Sequence, residues 1–101
     1  MIENDIEKYL KKQVTKIGGL CYKWVSPGTR GVPDRIVIHK GHTYFVELKR
    51  PGEDRRKNQR KMAEIFSRQG VKIYVIDTKI NVDHFVLKLQ VGDLKHEMPI
   101  T

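Results

Sequence analysis

Apolar residues recur at helical spacing over the first seventeen residues of the chain. The members of this stripe are Ile6, Leu10, Val14 and Ile17. The glycine pair at 18–19 ends the pattern, which predicts an amphipathic helix. The segment that follows, Leu20 to Ser26, is aromatic and rich in β-forming residues, and it predicts a strand.

A β-hairpin is predicted in the middle of the chain. Residues 26–33 contain Pro and Gly at four of eight positions, which is typical of a loop. Two β-prone runs then follow, Asp34–His39 and Thr43–Lys49, on either side of Lys40 and Gly41. A two-residue connection of this kind favours a tight antiparallel hairpin.

The second half of the chain predicts helix, strand and helix. Asp54 is a candidate N-cap for a helix that runs to about Gln69, and Gly70 ends it. Val71–Asp77 is the most β-like run of the sequence, and a short helix is predicted from about Val82 to Leu89. Residues 91–101 have no clear pattern.

The resulting order is α-β-β-β-α-β-α, which indicates an α/β fold. A strand, a long helix and a second strand make a crossover unit, and such a unit implies parallel pairing and a right-handed connection. The prediction is a mixed β-sheet flanked by helices. The 101 residues are room for one domain, with its core at about 3–88 and a tail at 91–101.

Composition and charge indicate a globular protein with a polyanionic partner. The chain is 39% hydrophobic and 32% charged, and 20 Lys and Arg against 12 Asp and Glu give a net charge of +8. Nucleic acid is the simplest partner for so basic a chain. The single Cys21 excludes an internal disulfide framework and a cysteine-based zinc cage.

The sequence has no signal for a membrane or for export. No apolar run approaches the roughly 20 residues of a membrane span. The acidic N-terminal residues lack the apolar segment of a secretory signal peptide. We therefore expect a soluble protein in the cytoplasm, with no membrane partner.

The hairpin count brings two carboxylates together. With Lys40 and Gly41 at the tip, Asp34 faces Glu47, and directly opposed Cβ atoms lie roughly 4.5–5.5 Å apart. Such a pair repels unless a cation lies between, and Mg²⁺ or Mn²⁺ suits oxygen ligands. Strand alternation puts Lys49 on the same face as Glu47. A bulge at Gly41 would shift this register by one residue.

The alternative is that these charged residues are polar positions on a solvent-exposed strand face. The apolar neighbours on both faces of the two strands weigh against it, because charge on a covered strand needs a partner or a function. Those neighbours are Ile36, Ile38, Phe45, Val46 and Leu48.

Residues 31–34, Gly-Val-Pro-Asp, and 47–49, Glu-Leu-Lys, together resemble the PD-(D/E)XK nuclease signature. A wider set of segments resembles the VRR-NUC family (virus-type replication–repair nucleases) over roughly residues 3–88. The matching segments are Gly18-Gly19, Tyr22–Gly28, Gly31–Arg35, Phe45–Lys49, Gln59 and Val71–Asp77.

The resemblance implies a restriction-endonuclease-like core and metal-dependent hydrolysis of phosphodiester bonds. Asp34 and Glu47 would hold one or two Mg²⁺ or Mn²⁺ ions, and the backbone carbonyl of Leu48 would be a further ligand. Lys49 would orient or help to deprotonate the attacking water.

The resemblance also implies a glutamate from the first helix and a glutamine in the later helix. Glu7 is favoured as the first-helix metal ligand, with Glu3 as the alternative, although an acidic residue early in a helix also suits the helix dipole. Gln59 shares the apolar stripe of its helix and is the catalytic candidate there. Its alternative role is that of a polar residue at a helix start that water still reaches.

A basic segment follows the candidate site immediately. Residues 49–61 carry seven cations and two anions, which is +5 of the net charge of +8. Phosphate binding there would be strongly salt-dependent, although a charge run is often a solvated helix face. The candidate DNA-binding residues are Arg30, Arg35, Arg50, Arg55, Arg56, Lys57 and Arg60.

The function predicted from the sequence is DNA cleavage. A resemblance to small junction resolvases favours branched DNA, with four-way Holliday junctions first. Symmetric cutting of a junction needs two sites and therefore a homodimer. Flap cleavage is an alternative, as is a basic module that binds nucleic acid without catalysis. We expect the protein to act in DNA repair or phage replication, in a bacterial or virus-infected cell.

Overall fold

The computed structural model describes residues 3–50, 52–53 and 55–92, with residues 3 and 4 described by their backbone only. Along the chain the elements are α1 (Glu3–Lys16), β1 (Leu20–Lys23), β2 (Arg35–His39), β3 (His42–Leu48), α2 (Lys57–Arg68), β4 (Ile73–Ile76) and α3 (Lys79–Val91). The predicted order α-β-β-β-α-β-α is confirmed.

Four strands form one mixed sheet in the order β1-β2-β3-β4. β1, β2 and β3 are antiparallel neighbours, whereas β3 and β4 are parallel and joined by α2. The hairpin has the predicted register, with His39 opposite His42 and Ile36 opposite Phe45. Lys40 and Gly41 both have positive φ, 48° and 82°, as a tight two-residue hairpin turn requires.

The two faces of the sheet pack against different helices. On one face, strand residues such as Val37 and Val46 join the α1 side chain of Leu10 and the α3 side chain of Val82 in one buried cluster. On the other face, Phe66 of α2 covers part of the sheet; its ring centroid lies 5.3 Å from that of Phe45 and 6.1 Å from that of Trp24. The sheet is therefore covered by helices on both faces, more extensively on the first than on the second.

The start of α2 differs from the prediction. The helix begins at Lys57 with Arg56 as its N-cap, and Asp54, the predicted cap, lies outside the described residues. The physical reason is the Gln59 amide oxygen, which accepts a hydrogen bond from the Arg56 backbone N–H at 2.9 Å. A side chain inside the helix, rather than an acidic residue before it, satisfies the first free donor.

The last helix starts earlier than predicted. α3 begins at Lys79 rather than near Val82, because the Thr78 hydroxyl accepts a hydrogen bond from the Asn81 N–H at 3.1 Å and caps the helix. β1 and β4 are shorter than the predicted strands. None of the described helices is long and apolar enough to span a bilayer.

Candidate active site

Asp34 and Glu47 lie side by side at one end of the hairpin. The β2–β3 register pairs Arg35 with Val46, and its continuation by one residue puts Asp34 opposite Glu47. The Asp34 Oδ2 atom accepts a hydrogen bond from the Leu48 N–H at 2.7 Å, which fixes the aspartate against β3. Both carboxylates are thus on the α2 side of the sheet, as the alternation of strand side chains requires.

Glu47 is a fully buried carboxylate. Burial raises its pKa, the nearby charges of Arg55 and Lys49 oppose that rise, and the charge of Asp34 adds to it. Arg55 Nε donates a hydrogen bond to Oε2 at 3.1 Å. The other oxygen, Oε1, is buried and has no hydrogen-bond partner among the described residues. Such an acceptor calls for a partner that the described part of the chain does not supply.

Lys49 supplies a buried positive charge close to this carboxylate. Its side chain is almost inaccessible to solvent, and its Nζ atom lies 3.7 Å from Glu53 Oε1. Its backbone N–H donates to the Ile76 carbonyl at 3.0 Å, which ties the end of β3 to β4. The backbone of Lys49 is therefore held at the end of β3, next to β4.

The backbone carbonyl of Leu48 lies on the side of β3 that faces β2. The Lys49 N–H points at β4, and in a trans peptide the preceding carbonyl points the opposite way, toward β2. There the β2–β3 register, continued by two residues beyond Arg35 and Val46, would put Pro33 opposite Leu48. Because proline has no N–H, the ladder offers this carbonyl no donor.

This donor set fits a hard divalent cation. It has two carboxylates, one of them with an unpartnered buried oxygen, and a carbonyl without a ladder donor. Among the described residues no group of three or more His, Cys, Asp or Glu is close enough to hold a metal ion. Mg²⁺ commonly takes one or two carboxylates and completes its shell with water and substrate phosphate.

Glu7, the predicted first-helix metal ligand, contacts Arg35. It forms an ion pair with Arg35 Nη2, and alternation along β2 turns Arg35 away from the face that carries Asp34. The role of Glu7 as a metal ligand stays a prediction, as does the contact of Arg35 with DNA. The side chain of Glu3, the alternative ligand, lies outside the described part of the chain.

Gln59 is buried and lines a cleft beside Asp34. The cleft has a volume of about 330 Å³ and lies between the glycine-containing loop and the start of α2. Arg30 and Arg56 contribute to its wall. Since the Gln59 oxygen also accepts the Arg56 N–H, the residue fixes the helix start and faces the candidate site at once.

Most of the predicted basic surface is exposed. The exposed members are Arg30, Arg50, Arg56, Lys57 and Arg60. Arg55 differs, because it is turned onto Glu47, and its Nη2 also donates to the Ile73 carbonyl at 3.3 Å. That contact was missed from the sequence, where Arg55 was grouped with its neighbours, since no local pattern relates residue 55 to a carboxylate in the preceding strand.

Gly31 has a structural role that also escaped the sequence analysis. Its φ is +86°, and a Cβ atom built on it would lie 2.3 Å from the Asn58 carbonyl oxygen. The loop and α2 therefore meet backbone to backbone at this point. The sequence signal for it is a glycine three residues before the aspartate.

The mixed sheet flanked by helices has the PD-(D/E)XK-like fold of nucleases. A solved structure described as a VRR_NUC domain matches it with a TM-score of 0.77 and 29% identity, covering 84% of this chain and 94% of that one. The sequence matches no family model.

A curated relative, "Putative nuclease p44" of Acyrthosiphon pisum secondary endosymbiont phage 1, is 48% identical over 79 residues, which are 76% of this chain and 84% of the relative. The chain belongs to the VRR-NUC family and is a nuclease.

Proposed function

We propose that this nuclease is a metal-dependent endonuclease that hydrolyses DNA phosphodiester bonds at branches, four-way junctions first, and acts as a homodimer in the cytoplasm. The observation that carries the proposal is the unpartnered, buried Oε1 of Glu47 beside Asp34. A buried ionic oxygen without a donor is costly unless a cation completes it.

Asp34, Glu47 and the Leu48 carbonyl would hold Mg²⁺ or Mn²⁺. When bound, the ion would supply a water of lowered pKa and positive charge at the scissile phosphate. Asp34 is held in place by the Leu48 N–H, so its carboxylate is already positioned. Positioning of this kind contributes to catalysis because the groups need not reorganise in the transition state.

Lys49 would act on the attacking water and the developing negative charge. Its ammonium group is buried, so its field is weakly screened by solvent. Exposed cations in segment 49–61 and Arg30 in the neighbouring cleft would bind the DNA backbone on either side. Gln59 lines the same cleft and would orient groups bound there.

An apolar patch on the sheet supports the homodimer. Leu20, Tyr22 and Ile38 are 46%, 55% and 36% exposed, and the register puts them side by side on the part of the sheet face that Phe66 does not reach. The patch has no charged member, so two copies of a chain with net charge +8 could meet there with little repulsion. A two-fold pair of sites suits paired cuts in a four-way junction.

Cleavage assays on labelled DNA test the proposal. The wild-type protein should nick four-way junctions at paired positions with Mg²⁺ or Mn²⁺ and be inactive in EDTA. The variants Asp34→Ala, Glu47→Ala and Lys49→Ala should each lose at least about 100-fold in cleavage rate, because each removes a ligand or a charge at the reacting phosphate. DNA binding should persist in all three variants.

Glu64→Ala is the matched control, because Glu64 is an exposed carboxylate of α2. It should cleave like the wild-type protein. Cleavage that survives in the site variants would place the chemistry elsewhere. Cutting of flaps alone would overturn the junction assignment, and binding without cleavage under every metal would leave a non-catalytic module.

A further inference from the structure

Arg55 binds the carboxylate of Glu47, which the proposed reaction needs as a metal ligand. Its Nε donates to Glu47 Oε2 at 3.1 Å, and its Nη2 donates to the Ile73 carbonyl at 3.3 Å. The Arg55 side chain is 25% exposed, whereas that of Glu47 is fully buried. The guanidinium therefore reaches the buried carboxylate from the solvent side.

A divalent ion at Glu47 Oε1 and this guanidinium at Oε2 would share one carboxylate. Both are cations, and like charges a few ångströms apart repel strongly where little water screens them. Lys49 is already a second positive charge close to Glu47. We propose that Arg55 is the internal counterion of Glu47, that a divalent ion bound at Glu47 displaces its guanidinium, and that the guanidinium then binds DNA phosphate.

The released side chain has a place to go. Arg55 precedes α2, and Arg56 and Lys57, the next residues, are exposed. Loss of the charged contact removes the shorter of these two hydrogen bonds, and the bond to the neutral Ile73 carbonyl is the longer one. Arg55 belongs to the same basic segment 49–61 as these two cations, so a released guanidinium would add to the positive charge exposed there.

The exchange makes metal binding and DNA binding depend on each other. An ion that frees Arg55 raises the affinity for DNA, and by linkage DNA raises the affinity for the ion to the same extent. This inference rests on the proposed metal-dependent function, but it concerns a residue that is neither a metal ligand nor a proton donor.

Titration calorimetry with Mn²⁺ alone, without DNA, tests the competition. Arg55→Ala and Arg55→Gln should bind Mn²⁺ at least about fivefold more tightly than the wild-type protein, which is the low end of typical coupling between sites. The Gln variant keeps a donor for the Ile73 carbonyl and decides the matter if the Ala variant does not fold. Arg68→Ala, which removes an exposed arginine of α2, should bind like the wild-type protein.

The outcomes separate the inference from the proposed function. If the wild-type protein binds Mn²⁺ and the Arg55 variants bind it equally or more weakly, the competition is overturned and the metal-dependent function stands. If neither the wild-type protein nor any variant binds Mn²⁺, the metal-dependent function is overturned and the inference with it.

Fluorescence anisotropy with a short duplex tests the release of Arg55. In EDTA, Arg55→Ala should bind DNA like the wild-type protein, because the guanidinium is engaged with Glu47, whereas Arg56→Ala should bind more weakly. With Ca²⁺ as the divalent ion, the wild-type protein should gain more affinity than Arg55→Ala. A loss in EDTA as large as that of Arg56→Ala would overturn the inference.

Discussion

Gly31 illustrates how one residue holds the candidate site together. The loop that leads into Asp34 passes so close to α2 that a Cβ atom at Gly31 would lie 2.3 Å from the Asn58 carbonyl oxygen. Its φ of +86° adds a conformation that other residues rarely adopt. The distance between Asp34 and the start of α2 therefore depends on the absence of a single methyl group.

Gly31→Ala should destabilise the protein by at least about 2 kcal/mol, since it combines an unfavourable φ with a backbone clash. Gly28→Ala is the matched control, because Gly28 also has positive φ, +82°, with nothing within 4 Å of the added Cβ atom. It should cost only about 1 kcal/mol. Urea unfolding followed by circular dichroism measures both, and equal losses would contradict the close approach.

At the scale of elements, the sequence predicted those features that depend on residues close together in the chain. The hairpin register followed from a two-residue turn and strand alternation, so the juxtaposition of Asp34 and Glu47 was accessible from the sequence. The start of α2 was not, because its first donor is satisfied by Gln59. The ion pairs of Glu7 with Arg35 and of Glu47 with Arg55 depend on packing between elements, which periodicity does not encode.

Thr78→Ala should lower the free energy of unfolding by about 1 kcal/mol, because the Thr78 hydroxyl caps α3 through the Asn81 N–H. Thr15→Ala offers a contrast within α1. Thr15 is exposed, and its hydroxyl bonds back to the Lys11 carbonyl inside the helix. Alanine is the better helix former, so this change should be neutral or stabilising by a few tenths of a kcal/mol. Thermal unfolding of the two variants checks the opposite signs.

At the scale of the whole molecule, the basic segment and the apolar patch lie on different elements. Cations are concentrated beside the candidate site in segment 49–61, whereas the uncharged patch of Leu20, Tyr22 and Ile38 lies on β1 and β2. This separation suits a protein that holds DNA on one side and a second copy of itself on another. The apolar patch could not be predicted from the net charge, because strand pairing is what brings its three residues together.

Sedimentation equilibrium should therefore find a dimer that Tyr22→Lys converts to a monomer, because the change puts two cations into the shared apolar surface. Leu87→Lys is the control: Leu87 is equally prominent, at 57% exposed, but lies on α3. It should leave the dimer intact. A wild-type monomer at all concentrations would overturn the homodimer.

The order in which the chain completes the site has a kinetic consequence. The two acids are thirteen residues apart within one hairpin, whereas Arg55 and the parallel partner strand β4 come later in the sequence. Hairpins close in roughly 1–10 μs, and parallel pairing across a crossover is slower. In a refolding chain the two carboxylates therefore meet before β4 completes the sheet, and we expect divalent ions to accelerate the early collapse of this protein.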